Sequence, residues 1–82
     1  MFQVEVRVMP RAGLLDPQGQ AVAHALAALG FTGVGAVRVG KALTVNVDAA
    51  NAGAAERDAR AMCERLLANP VTEDFTLQVE AQ

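Results

Sequence analysis

The stretch Phe2-Gln3-Val4-Glu5-Val6-Arg7-Val8 alternates apolar and polar side chains without a fault. Successive strand side chains point to opposite faces, so Phe2, Val4, Val6 and Val8 share one side, and Gln3, Glu5 and Arg7 share the other. A chain that opens this way needs a sheet with one face on a core and one toward water or a partner. Pro10 closes the strand, because a proline cannot donate to the ladder.

With 82 residues the chain is read as a single domain spanning 1–82. One cysteine permits no internal disulfide, and Cys63 and His24 are its only soft metal ligands. Self-association is the remaining route by which so small a fold gains buried area. Nine acidic and seven basic side chains leave a net charge of −2, which offers no general attraction for nucleic acid or an anionic membrane. The longest apolar runs fall far short of the roughly 20 residues a membrane span needs. No basic, apolar-cored leader precedes the first strand and the thiol stands alone, so a cytoplasmic setting is expected.

Asp16-Pro17 reads as a helix start: the carboxylate can accept from free amides and the proline fits the first helical position. Val22, Ala25, Leu26 and Leu29 then form one stripe, and Gly30 is the natural stop. Ala55, Ala59, Met62 and Leu66 mark a second helix, with Glu56 and Arg60 spaced for an ion pair and Asn69-Pro70 as its end. Phe75, Leu77 and Val79 alternate as a last strand.

Val34 to Asp48 is rich in β-branched residues and admits two readings. A Gly40-Lys41-Ala42 turn would make two strands, with Val39 and Leu43 both inward. Alternatively one long strand bends at Gly40, with Lys41 on its apolar side, and part of it pairs with a neighbouring subunit. Two strands are preferred. The expected fold is therefore α+β: a ferredoxin-like βαββαβ two-layer sandwich, its antiparallel sheet carrying both helices on one face. The other face is polar and suits a second sheet or a partner protein.

Side chains with chemistry are few. Cys63 sits beside the apolar stripe and next to Glu64, and reads as a small buried hydrophobe rather than a nucleophile. His24 reads as a solvated residue on the flank of the first helix, with an interface contact as the functional alternative. Glu73 and Asp74 are adjacent in a strand, point to opposite faces and suit capping or solvation. Gly33-x-Gly35 lacks the third glycine of a dinucleotide fingerprint, and a strand follows it. Arg38-Val39-Gly40-Lys41 places two cations at a bend. It is either an exposed turn or a docking point for a carboxylate-rich surface or an anion.

Taken in order, Leu15-Asp16-Pro17-Gln18-Gly19 with Ala21-Val22, Val37-Arg38-Val39-Gly40-Lys41, and Met62-Cys63-Glu64-Arg65-Leu66-Leu67-Ala68-Asn69-Pro70-Val71 with Glu73-Asp74-Phe75 resemble the small subunit of phosphoribosylformylglycinamidine synthase, the PurS family. The resemblance runs from Val4 to Glu80. It implies a structural, non-catalytic subunit of an ATP-dependent, glutamine-using ligase of de novo purine synthesis, which converts formylglycinamide ribonucleotide to the amidine. It implies a glutaminase subunit and a large synthetase subunit as partners, bridged by this chain as a dimer or tetramer so that ammonia passes between them. ATP and magnesium would lie on the large subunit, with no cofactor, metal or catalytic residue in this chain. Asp16, His24, Arg38, Gly40 and Lys41 are the candidate subunit-interface residues. Phe75 stands where the family pattern leads one to expect a tyrosine, and Ala42 is smaller than expected. An amino-acid-binding regulatory module shares the element order and is the rival reading. An RNA-recognition module would need aromatics on the inner strands and a basic face, and neither is present.

Overall fold

The computed structural model describes residues 1–81; the last residue of the expected 1–82 domain lies outside the described residues. The order is β1 (Phe2–Pro10), α1 (Pro17–Ala28), β2 (Lys41–Val47), α2 (Ala52–Met62) and β3 (Glu73–Ala81), with a π-helical turn over Cys63–Leu67. The sheet order is β2-β1-β3 and both pairings are antiparallel. Val4 faces Val45 and Val79, and Val6 faces Leu43 and Leu77. These apolar rows lie under α2, which packs against all three strands. Val4, Val6 and Val8 are buried with Ala55, Ala59, Cys63 and Ala68, so the alternation in β1 is the floor of the core and the alanines of α2 let the helix approach closely.

The start and end of α2 have separate causes. The Asn51 side chain accepts from the Ala54 amide at 2.8 Å and caps the helix. At its end the Ala68 amide donates to the Cys63 carbonyl at 3.0 Å, a π-type bond. The wider turn rotates the following residues. The inward stripe therefore runs Ala55, Ala59, Cys63, with Leu67 packed on the core, whereas Leu66, expected inward, is 82% exposed. Cys63 lies on the stripe rather than beside it.

The α+β class and ferredoxin-like plan stand, with two differences. No turn forms at Gly40: Lys41 and Ala42 belong to β2 and face Val8 and Arg7, and 34–40 has no helix, turn or strand partner among the described residues. The preferred two-strand reading is therefore corrected to one strand preceded by an extended segment. Gly40 does not have positive φ; its role is space, since a Cβ there would collide with the Val8 carbonyl and the Met9 sulfur. Its small size lets the chain pass close over the end of β1.

The second difference concerns α1, which does not cover the sheet. Of its residues only Gly19 is buried, and Val22 is 41% and the capping Leu29 74% exposed. The helix is attached instead to the extended segment after it. Residues 12–40 thus form an arm beside the sheet-and-α2 body, to which Arg11 is bonded through the Thr72 carbonyl at 2.9 Å. The molecule measures 51 × 27 × 14 Å with a radius of gyration of 16.1 Å. A compact chain of this length would have about 12 Å.

Candidate functional site

Two of the sequence motifs meet at the base of the arm. Asp16 precedes Pro17 at the start of α1, and one carboxylate oxygen accepts from the Gly19 amide at 3.0 Å, the expected helix cap. The other oxygen accepts from the Val39 amide at 2.8 Å, across 23 residues of chain. One side chain thus caps the helix and clips it to the extended segment. Gly19 permits the approach, since a Cβ there would collide with the Val37 carbonyl. Gly40 holds the other end of the segment against β1. The Asp16 carboxyl is held below the usual carboxylate range by the Gly19 amide first and the Val39 amide next, with the Arg38 charge adding to them against a smaller burial cost.

The far end of α1 is closed as the sequence indicates. Gly30 has φ of +97°, its amide donates to Ala27 at 3.0 Å, and the Phe31 amide donates to Leu26 at 3.1 Å. These are the two bonds of a Schellman cap. Both ends of α1 are therefore fixed while its apolar residues stay open. Leu15, Leu29 and Phe31 are 73%, 74% and 57% exposed.

Of the candidate residues, the structure brings Asp16, Arg38 and Gly40 to this clip. Lys41 follows as the first residue of β2, opposite Val8 and exposed. His24 is exposed midway along α1 and is not part of the clip. A shallow cleft of about 320 Å³ lies between the start of α1 and the extended segment, lined by Leu14, Leu15, Asp16, Gln20, Val37 and Arg38. It joins apolar surface to one cation and one engaged carboxylate.

Most of the other concentration of ionisable groups, around the π-turn, is engaged within the fold, with Glu64 and Arg65 exposed. Arg11 pairs with Asp74 at 3.2 Å and donates to the Pro70 carbonyl at 2.6 Å. Glu73 accepts from the Asn69 amide at 2.7 Å, and Asn69 accepts from the Val71 amide at 2.9 Å. Arg60 pairs with Glu56 at 3.2 Å and lies 5.7 Å from the centre of the Phe75 ring. The phenylalanine thus presents its face to a cation where a tyrosine was expected. Cys63 is fully buried among these groups, and burial pushes its thiol up, with Glu64 adding to the shift and Arg60 opposing it. Such a thiol is a poor nucleophile. Among the described residues no group of three or more His, Cys, Asp and Glu side chains could hold a metal.

Sequence reasoning found the Asp16 cap but not its second bond, which no local signal announces. It also missed the Asn51 cap, for which the signal was present: an asparagine before an alanine-rich helical stretch.

Residues 3–81 match the family model described as PurS, phosphoribosylformylglycinamidine (FGAM) synthase. The phosphoribosylformylglycinamidine synthase subunit PurS of Mycobacterium leprae is 44% identical over 82 residues, all of both chains. That of Bacillus subtilis is 39% identical over 84 residues, covering 98% of this chain and 94% of its own. Among solved structures, Methanocaldococcus jannaschii PurS, described as one of the subunits of formylglycinamide ribonucleotide amidotransferase in the purine biosynthetic pathway, superposes with a TM-score of 0.91 at 32% identity, covering 100% and 99% of the two chains. A chain of the PurLQS structure from Thermotoga maritima does so with a TM-score of 0.88 at 29% identity, covering 96% of each.

Proposed function

The chain belongs to the PurS family, subunits of phosphoribosylformylglycinamidine synthase in purine biosynthesis, and on that premise we propose that it is a non-catalytic scaffold that bridges the glutaminase and synthetase subunits. One observation carries this reading. Around the π-turn Cys63 is buried and Arg11, Arg60, Glu73 and Asp74 are engaged within the chain, whereas the arm displays its apolar surface and a segment without a strand partner. A catalyst has the opposite distribution, with committed apolar groups and free polar ones in a pocket. The PurLQS assembly from Thermotoga maritima supports the choice of partners.

In this reading the arm is completed by other chains. The backbone of 34–40 has unused ladder positions, and Phe31 beside it and Val34 within it are 57% and 42% exposed. A second copy that pairs with this segment would bury both, giving a self-associated subunit with Arg38 and Lys41 at the seam. ATP and magnesium would lie on the synthetase. Ammonia is largely protonated in water and then is no nucleophile, so a scaffold that holds glutaminase and synthetase in register preserves it and positions the reacting groups. The cytoplasm is the proposed setting, on the ground of the single free thiol.

Reconstitution tests the bridge. With glutaminase, synthetase, formylglycinamide ribonucleotide and ATP, omission of this chain should abolish glutamine-dependent ADP release and spare most of the rate supported by high ammonia. Equal loss of both rates would mean that the chain serves the synthetase chemistry itself. Loss of neither would remove the scaffold role.

A further inference from the structure

Packing does little to hold α1 in place. The helix has no extensive contact with a strand or with α2, and of its residues only Gly19 is buried. Two tethers join it to the sheet: 12–15 after β1, and 29–40 before β2. Leu14 and Leu15 of the first are exposed, and over 34–40 the second has no helix, turn or strand partner among the described residues. β1 ends beside the start of β2, with Val8 opposite Lys41, so the arm leaves and re-enters the body at one place. Asp16 ties the tethers together there. One carboxylate oxygen accepts from the Gly19 amide at 3.0 Å and the other from the Val39 amide at 2.8 Å. The next residue, Gly40, is pressed against the Val8 carbonyl, closely enough that no Cβ would fit. The start of α1, residues 37–40 and the end of β1 therefore form one joint, and the bond to Val39 is what closes it. Without that bond the helix would hang from two exposed tethers and swing against the sheet.

We propose that Asp16 is a positioning residue for ammonia transfer: by clipping α1 to Val39 it fixes the direction of the arm against the body, and so the register of the subunits that the chain bridges. The proposal rests on the scaffold reading above and assigns its alignment to one side chain. A bridge that uses both arm and body transmits alignment only as well as their joint is stiff. α1 has 12 residues, a length of about 18 Å. A rotation of about 5° at the clip therefore moves its far end by about 1.5 Å. Misplacement on the order of 1 Å, even far from the chemistry, can cost about a hundredfold in rate. Ammonia that misses its acceptor escapes to water, so a loose joint separates glutamine hydrolysis from amidine formation without disabling either. The cap and the clip are separable. Serine at position 16 has one short-reaching oxygen, enough for the Gly19 amide and not for Val39 as well. Asparagine keeps the cap oxygen and turns its NH2 group to Val39.

Product balance tests the joint. The reconstituted synthase, with this chain in excess, is followed for glutamate and ADP together. Wild type is compared with D16S, D16N and N51A, the last removing a helix cap of the same kind from α2 in the body. Circular dichroism at the assay temperature checks that each variant is folded. Wild type should release glutamate and ADP in step. D16S and D16N should lower glutamine-dependent ADP release about tenfold relative to the rate with high ammonia, with glutamate running ahead of ADP. Adding more of either variant should not restore the balance, because the fault is one of angle and not of occupancy. N51A, with its arm intact, should keep the two products in step. Products in step in D16S and D16N would overturn the proposal. So would a balance that recovers as more chain is added, which would reduce Asp16 to a role in assembly. The same excess of glutamate in N51A would overturn it as a general effect of lost stability. If omission of the wild-type chain changes neither the glutamine nor the ammonia rate, the scaffold reading falls and the proposal falls with it.

Discussion

Val6, under α2, is 1% exposed, whereas Leu29, which caps α1, is 74% exposed, although both belong to apolar stripes readable in the sequence. The body meets most of its needs within the chain, Leu66 and Val71 apart. Its strands pair, α2 covers their apolar rows, and Asn51, Asn69 and Glu73 satisfy amides at its turns. The arm meets only its local needs. α1 is capped at both ends and clipped to the segment after it, yet the apolar residues it presents are left for another surface. A stripe in a sequence states that a face must be covered; it does not state by which chain.

Three substitutions sharpen that contrast. Val6→Asp would place an unpaired charge beneath α2, at a cost of about 3–5 kcal/mol. A domain of this size has roughly 4–12 kcal/mol in total, so the cooperative thermal transition of the body should fall steeply or vanish. A Tm within a few degrees of wild type would mean that the sheet is not the seat of stability.

Gly19→Ala should act on the arm alone. Alanine favours a helix by about 1 kcal/mol over glycine, but its Cβ must displace the Val37 carbonyl. The expected result is about tenfold weaker self-association with the main unfolding transition nearly unmoved. An unchanged association constant with a higher Tm, the outcome of helix propensity alone, would show that Val37 does not pass close to α1.

Asp16→Asn is the mildest and the most specific. The amide keeps an oxygen for the Gly19 cap but turns its NH2 group toward the Val39 amide, so self-association should weaken a few-fold and Tm fall by no more than a few degrees. The wild-type carboxyl titrates in the folded chain below its ordinary 3.8. Its stabilisation is therefore complete above that value and lost as pH falls through the lower folded pKa. The difference between wild type and Asp16→Asn should be flat from neutral pH to about pH 5 and shrink below about pH 4. A constant difference down to pH 2 would sever the clip from the carboxylate charge.

What the sequence made legible divides along the same line. The β1 alternation, the cap at Asp16, the stop at Gly30 and the Glu56–Arg60 pair are local, and each depends on residues a few positions apart. Three features were not legible. The π-turn shifts Leu66 outward by a backbone bond that no side-chain period encodes. The Asp16–Val39 bond joins residues 23 apart. Gly40 reads as a turn because glycines usually serve turns, whereas here it permits a close pass over β1. For the site itself, the sequence singled out Asp16, Arg38, Gly40 and Lys41 separately, and the fold joins the first three at one clip.

The most direct test of a complete body and an incomplete arm is amide hydrogen exchange on the full chain at two concentrations, one below self-association and one well above it. The account predicts that the core amides of β1 and α2 are protected equally at both. Amides of 34–40 other than Val39, which Asp16 holds, should exchange nearly freely when dilute and become protected when concentrated. Strong protection of 34–40 in the dilute chain, or no change on association, would contradict it.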